Sequence, residues 1–276
     1  MPQHTGNLPV LGAALTTDEL EQHHDWVLAS QRDIELQDFV TAKTLNGDWS
    51  ASATRAKDLL ADHTGRLGIH GPFWGFTIDT PDPDVRAIVA RRLDQGLDVC
   101  EAIGATHMVI HSPFTTWDHN NLDNGNGALE QLTGLVHEAI GPAVRRAADV
   151  GVTLVIENIE DKDPHARVAL AKSFDSDAVR VSLDTGHAHY AHASTGAPPV
   201  DYYVKAAGSM LAHVHVQDAD GYADRHWLPG EGTVNWRAVF AALAAYTDGA
   251  RLIIEVKDKT RLPAGARWLE EQGLAR

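Results

Sequence analysis

A single cysteine, Cys100, stands in 276 residues, so no disulfide can close within the chain. Basic residues are also scarce: 23 Lys and Arg face 38 Asp and Glu, a formal charge of −15 with histidine neutral. That balance argues against a protein that works by coating phosphate backbones, although a local basic patch could survive it, and so against a nucleic-acid partner; a neutral or cationic partner suits it better. No apolar run approaches the roughly 18 residues of a membrane-spanning helix, so no membrane partner is expected. The opening MPQHTGNLPV has neither a basic start nor an apolar h-region, which predicts a cytoplasmic protein. Charge blocks, low-complexity stretches and interdomain linkers are missing too, and the polar loop at 120–127 is too short to separate domains. What remains, 43% hydrophobic and 22% charged, is the make-up of an ordinary globular chain. Histidine is the exception, with 16 residues.

Short apolar runs alternate with longer amphipathic stretches, the pattern of repeated βα units. Eight strands are predicted, over Val10–Leu15, Asp33–Phe39, Arg66–His70, His107–His111, Thr153–Glu157, Arg180–Asp184, Ala212–His215 and Leu252–Glu255. Most are rich in Val, Ile and Leu without strict alternation, as strands buried on both faces should be. Between them, Thr16 with Glu19 has capping-box spacing, and Asp82-Pro83 and Asp163-Pro164 pair a capping residue with a first-turn proline. Residues 83–104 read as one long helix closing at Gly104, with Cys100 on its core face. The pattern predicts an α/β fold, a single (β/α)8 TIM barrel over residues 1–276, with a doubly wound open sheet as the alternative.

Active sites of such barrels lie at the carboxyl ends of the strands. RLGIH ends in His70, HMVIH in His111, TLVIE in Glu157, RVSLD in Asp184, HVH in His215 and LIIE in Glu255. An ionisable group there must be solvated, paired or bound to metal, and six in succession point to a divalent cation. Imidazole and carboxylate without thiolate suit Zn, Mn, Co or Fe. DTGHAH adds His187 one turn beyond Asp184, with Gly186 read as permitting a sharp backbone turn. Asp224 and His226 stand two apart on the loop after strand seven, spaced to reach one ion together. His107 and His213 read as structural, and His189 stays undecided between a supporting role and a plain loop position.

The rim loops carry Phe73, Trp74, Phe76, Phe114, Trp117 and Trp227. Their faces suit the C–H faces of a sugar, and they would also suit wedging into DNA or a subunit contact, which leaves a homo-oligomer open. His187, Trp74, Trp117 and Trp227 are the candidate substrate contacts.

In order and spacing, IHGPF, VIHSPF, LVIENI, SLDTGHAH, HVHVQD, DRHWLPGEG and LIIEVK resemble the xylose isomerase-like barrel superfamily of endonuclease IV and the sugar phosphate isomerases and epimerases. The resemblance runs from about residue 33 onward. It implies a first metal site of His70, His111 and Glu157, with Glu157 bridging to a second site of Asp184, His215 and Glu255, and a third site of His187, Asp224 and His226. One to three divalent ions per chain follow, of which the isomerase branch needs only the one held by Glu157, Asp184, His215 and Glu255. On that branch Glu157 and Glu255 are also the catalytic bases, removing and returning a proton next to a carbonyl through an enediolate. The competing classes are an endonuclease IV-like multinuclear phosphodiesterase and a metal-dependent lyase or hydrolase acting on a modified sugar. Asp79, Asp82 and Asp84 precede the first arginine in the loop after His70, and the loop after His111 has no Lys or Arg. These loops are poor at gripping phosphate, which favours an unphosphorylated ketose or related sugar over DNA or a sugar phosphate.

Overall fold

A computed structural model describes residues 8–122, 125 and 127–276; Asp123, Asn124 and Asn126 of the polar loop lie outside the described residues. Eight strands, β1 (Gly12–Leu15), β2 (Ile34–Leu36), β3 (Leu67–His70), β4 (His107–His111), β5 (Thr153–Glu157), β6 (Val179–Asp184), β7 (Leu211–Val216) and β8 (Arg251–Ile254), alternate with helices. All pair in parallel with their neighbours in sequence, and β1 pairs with β8 to close the barrel. The (β/α)8 expectation is met, and the open sheet is excluded by that closure. Ends shift by a few residues; the largest departure is β2, which stops at Leu36 because Asp38 turns away and accepts hydrogen bonds from the Thr17 backbone N (2.9 Å) and Oγ1 (3.1 Å).

The helix starts follow their caps. Thr16 Oγ1 accepts from the Glu19 N–H while Glu19 Oε2 accepts from the Thr16 N–H, closing the box at the start of Thr17–Ser30. Asp82 caps Pro83–Ile103, which ends at Gly104 in the left-handed region (φ 75°). Val89, Leu93, Leu97, Cys100 and Ile103 are buried along that helix, whereas Ile88, counted by spacing on the same face, is exposed.

The strand faces divide sharply. Leu15, Ile34, Leu36, Ile69, Met108, Ile110, Leu154, Ile156, Leu183, Val214 and Ile254 point outward and join the hydrophobic core under the helices. The alternate positions line the barrel, and their register places His111 opposite Glu157, Asp184 opposite His215, Ser182 opposite His213, and Glu35 opposite Gly68. A barrel interior is usually filled by bulky aliphatic residues. Here it carries a column of polar ones, and Gly68 makes room for it: a Cβ there would lie 2.9 Å from the Arg251 guanidinium.

Candidate metal centre

Because alternate strand residues point the same way, the inward face delivers its terminal side chains to one rim. Glu157, Asp184, His215 and Glu255 bring one donor atom each to within 4.8 Å of one another, and so do His70, His111 and Glu157, and His187, Asp224 and His226. All nine ligand-type residues singled out in the sequence thus converge, and Glu157 stands between the first two groups. Its Oε1 lies 2.8 Å from His215 Nδ1, while its Oε2 faces His70 Nε2 (3.7 Å) and His111 Nε2 (3.8 Å).

Glu157 Oε2 and Asp184 Oδ2 are buried and accept no hydrogen bond. A buried carboxylate oxygen left without a partner is costly, and two of them turned into one donor cluster fit a cation. Asp184 shows why its second oxygen is free. As N-cap of Thr185–Thr195 it uses Oδ1 to accept from the His187 N–H (2.7 Å) and from Gln217 Nε2 (3.1 Å). The Asn158 side chain clamps the Asp184 backbone from both sides, accepting from its N–H and donating to its C=O. His70 and His187 each engage a backbone carbonyl through Nδ1, Gly71 and Asn158 respectively at 2.9 Å, which turns their Nε2 atoms toward the carboxylates.

Gln217 organises the third group. Its Nε2 also donates to Asp224 Oδ1 (3.0 Å), and its Oε1 accepts from the His226 N–H (2.9 Å). His226, with φ 50°, then sets Nε2 3.1 Å from Asp224 Oδ1. The loop after β7 folds back as its spacing suggests, held by Asp218, which accepts from the N–H groups of Gly230 and Val234 and from Trp236 Nε1. Gly186 corrects the sequence reading. Its φ is not positive; a Cβ there would lie 2.2 Å from the Gln217 carboxamide, so the glycine provides space for Gln217 and not a turn.

Electrostatics follows from burial against crowding. Burial works to raise the Glu157 carboxyl, yet His215 first, then His111 and His187, outweigh it and hold it well below the usual range. Burial raises Asp184, which His187 only partly offsets. His215 and His187 are both held well above the ordinary imidazole value, since the carboxylates around them outweigh desolvation, and His226 is pushed up to about 9. His111, where desolvation wins, falls to about 3.

Several contacts were not read from the sequence. Glu35 on β2 is 2% exposed and meets His215 Nε2 with both oxygens. His213, read as structural, is buried between Ser182 Oγ (2.8 Å) and Glu35 Oε2 (3.0 Å), and the trio Glu35, His213 and His215 is itself a metal-capable group. Gln37 donates to Glu255 (2.5 Å) and accepts from Lys259 (3.1 Å). Phe73 stacks on His111 at 4.2 Å, and with Phe76, Ile110 and Phe114 it lines a small cavity beside that histidine. The tryptophans stand further out: Trp74 is 64% exposed behind Phe73, Trp117 is 76% exposed, and Trp227 packs against the Arg225 guanidinium. His189 bonds Thr233 on the loop after β7, outside the three groups, and His107 sits at the start of β4 against Thr106.

The xylose isomerase-like TIM barrel family matches residues 34–272. An uncharacterised protein of Sinorhizobium fredii is 29% identical over 155 residues, covering 55% of this chain and 48% of that protein. One of Methanocaldococcus jannaschii is 23% identical over 188 residues, covering 63% of this chain and 59% of that one, so the matches span roughly half of each relative's length. Among solved structures, the TTHB071 protein of Thermus thermophilus, soaked with ZnCl2, is 28% identical with a TM-score of 0.71 over 95% of this chain and 98% of that one. A D-tagatose 3-epimerase-like protein (17% identical, TM-score 0.68, covering 96% and 99%) has the same fold. So does D-allulose 3-epimerase of a Methylomonas species in complex with D-allulose (16%, TM-score 0.67, covering 97% and 98%).

Proposed function

The chain belongs to the xylose isomerase-like TIM barrel family, and from that premise we propose that it is a divalent-metal-dependent sugar isomerase or epimerase acting on an unphosphorylated ketose or related sugar. The observation that carries this reading is the pair of carboxylates that meet the same nitrogen of His215: its Nδ1 lies 2.8 Å from Glu157 and 3.4 Å from Glu255, beside the unpartnered oxygens of Glu157 and Asp184. Two bases flanking one cation-ready cluster are what proton exchange next to a carbonyl requires. The D-tagatose 3-epimerase-like protein and the D-allulose 3-epimerase among the structural neighbours add support at the level of the fold.

In this reading Glu157, Asp184, His215 and Glu255 hold the ion, one of Zn, Mn, Co or Fe. Bound there, it supplies polarisation of the carbonyl and hydroxyl oxygens of an open-chain sugar. One of Glu157 and Glu255 takes the proton from the carbon beside the carbonyl, and the same or the opposite one returns it. Gln37, donating to Glu255, fixes the direction of that carboxylate. His187 and the aromatic rim contact the sugar, with Phe73 nearest the donors and Trp74, Trp117 and Trp227 outside it. The partner is a small neutral sugar in the cytoplasm, with neither nucleic acid nor membrane involved. Among the described residues no helix is long and apolar enough to cross a membrane.

A second reading has its own observation. The groups His70–His111–Glu157 and His187–Asp224–His226 exceed what one ion for sugar chemistry needs, and two further ions there would suit hydrolysis of a phosphodiester or a lyase reaction on a modified sugar. The deciding experiment incubates metal-loaded protein with a panel of ketoses and aldoses in deuterated water, beside an abasic-site DNA duplex. Deuterium entering the carbon next to the carbonyl is the expected result. Cleavage of the duplex with no exchange into any sugar would replace the isomerase reading by the nuclease one.

A further inference from the structure

Behind His215, on the side away from Glu157 and Glu255, lies a carboxylate that no step above uses. Glu35 comes from β2 and His215 from β7, so the contact crosses the barrel interior between strands that do not pair. Both Glu35 oxygens lie at hydrogen-bond distance from His215 Nε2, at 3.0 and 3.1 Å. Oε2 of the same carboxylate also lies 3.0 Å from His213 Nε2, and His213 is steadied in turn by Ser182 Oγ at 2.8 Å. All four residues are buried, so Glu35 has no route to a sugar.

We propose that Glu35 is the positioning residue of the metal centre: it anchors His215 through Nε2, so that Nδ1 is the atom offered to an ion held with Glu157 and Glu255. An ionised carboxylate only accepts, so Glu35 requires hydrogen on Nε2; Glu157, 2.8 Å from Nδ1, makes the same demand there in the metal-free protein, and an ion bound among the four ligands would take the place of the Nδ1 proton while the Nε2 proton stays with Glu35. Partners of this kind behind a ligating histidine set its tautomer and raise its basicity, and their loss typically costs about 10- to 100-fold in metal affinity. A buried pair with a purely structural role would leave both properties untouched. The proposal rests on reading Glu157, Asp184, His215 and Glu255 as metal ligands.

The test uses the full chain and zinc alone. In protein labelled with ¹⁵N-histidine and loaded with zinc, long-range ¹H–¹⁵N correlation should show His215 protonated on Nε2 with the metal on Nδ1. Competition with a chromophoric chelator should show Glu35→Ala weaker than wild type by about 10- to 100-fold, with Glu35→Gln between them because a carboxamide can serve either tautomer. Wild-type His215 carrying its proton on Nδ1 overturns the proposal, and so does a folded Glu35→Ala that binds zinc within about threefold of wild type. If Glu35→Ala does not fold, the wild-type tautomer and the Glu35→Gln affinity decide. Failure of the metal reading looks different: the wild type itself then binds no zinc.

Discussion

Replacing Asp184 by Asn separates its two jobs. Oδ1 caps Thr185–Thr195 and accepts from Gln217, while the buried Oδ2 has no partner. In Asp184→Asn the carboxamide oxygen can keep both Oδ1 bonds, because the His187 N–H and the Gln217 amide are donors. That forces the NH2 group, itself a donor, into the cluster. The metal-free variant should therefore melt within a few degrees of wild type, helped by removal of a charge that burial disfavours. Asp184→Ala loses the cap, worth about 1 kcal/mol, and the charged acceptor of one Gln217 N–H, worth about 1.5–3 kcal/mol, while Asp224 keeps the other. At about 2–4 °C per kcal/mol its melting temperature in chelator should fall by about 5–15 °C. Zinc at 100 times Kd stabilises the wild type by about 2.7 kcal/mol, and both variants should lose that shift. Differential scanning calorimetry with chelator and with zinc reads all of this. If Asp184→Asn melts as low as Asp184→Ala in chelator, or keeps the wild-type zinc shift, the division of labour between Oδ1 and Oδ2 is wrong.

Other outcomes follow from the same geometry. Glu157→Gln and Glu255→Gln, compared at saturating metal with occupancy measured, should lower turnover by about 10²- to 10⁴-fold and abolish solvent deuterium incorporation; retained exchange in either would remove it as a base. Gly186→Ala drives a methyl group into the Gln217 carboxamide and should cost about 1–3 kcal/mol in urea unfolding; wild-type stability would mean that Gln217 is free to move. The Cys100 thiol, fully buried and pushed up to about 12 by desolvation, should react with Ellman's reagent only after denaturation; fast labelling of the native protein would show that the Pro83–Ile103 helix opens.

Most of the centre was legible because of where a βα barrel ends its strands. His70, His111, Glu157 and Asp184 are the last residues of their strands, and Glu255 follows β8 directly, so reading the end of each apolar run reads the rim. The caps were legible for a local reason, since Thr16–Glu19 and Asp82-Pro83 act within a few residues. Glu35 was not, because in DIELQDF it is one of four polar residues, with Asp33, Gln37 and Asp38, and nothing in the segment sets it apart. Its inward direction becomes visible only through the register that sets it opposite Gly68, and Gly68 opposite His107. His213 stands two residues before His215 and shares its face; that period of two was the available signal. Asn158 and Gln217 gave no warning, because a neutral amide advertises no chemistry until its partners are known.

The inward face also explains how so acidic a pocket coexists with a stable fold. Apolar burial is carried by the outward strand residues under the helices, so the barrel axis need not supply it. Along that axis Arg251, His213, Ser182, Glu35 and His215 succeed one another toward the rim, and small residues keep the space open: a Cβ on Gly12 would lie 2.2 Å from the Asp33 carbonyl. Desolvating these groups costs free energy that is offset only when each finds an opposite charge or a hydrogen bond. Arg251 reaches Thr106, His213 reaches Ser182, and Glu35 is shared by two histidines. The chain of pairing then reaches Glu157 and Asp184, where protein partners run out and one oxygen of each is left bare. Deeper in, Arg251 Nε and His213 Nε2 also lack a hydrogen bond, though His213 Nε2 lies 3.0 Å from the Glu35 carboxylate; Glu157 and Asp184 belong to the four-residue cluster in which the proposed function puts a small cation.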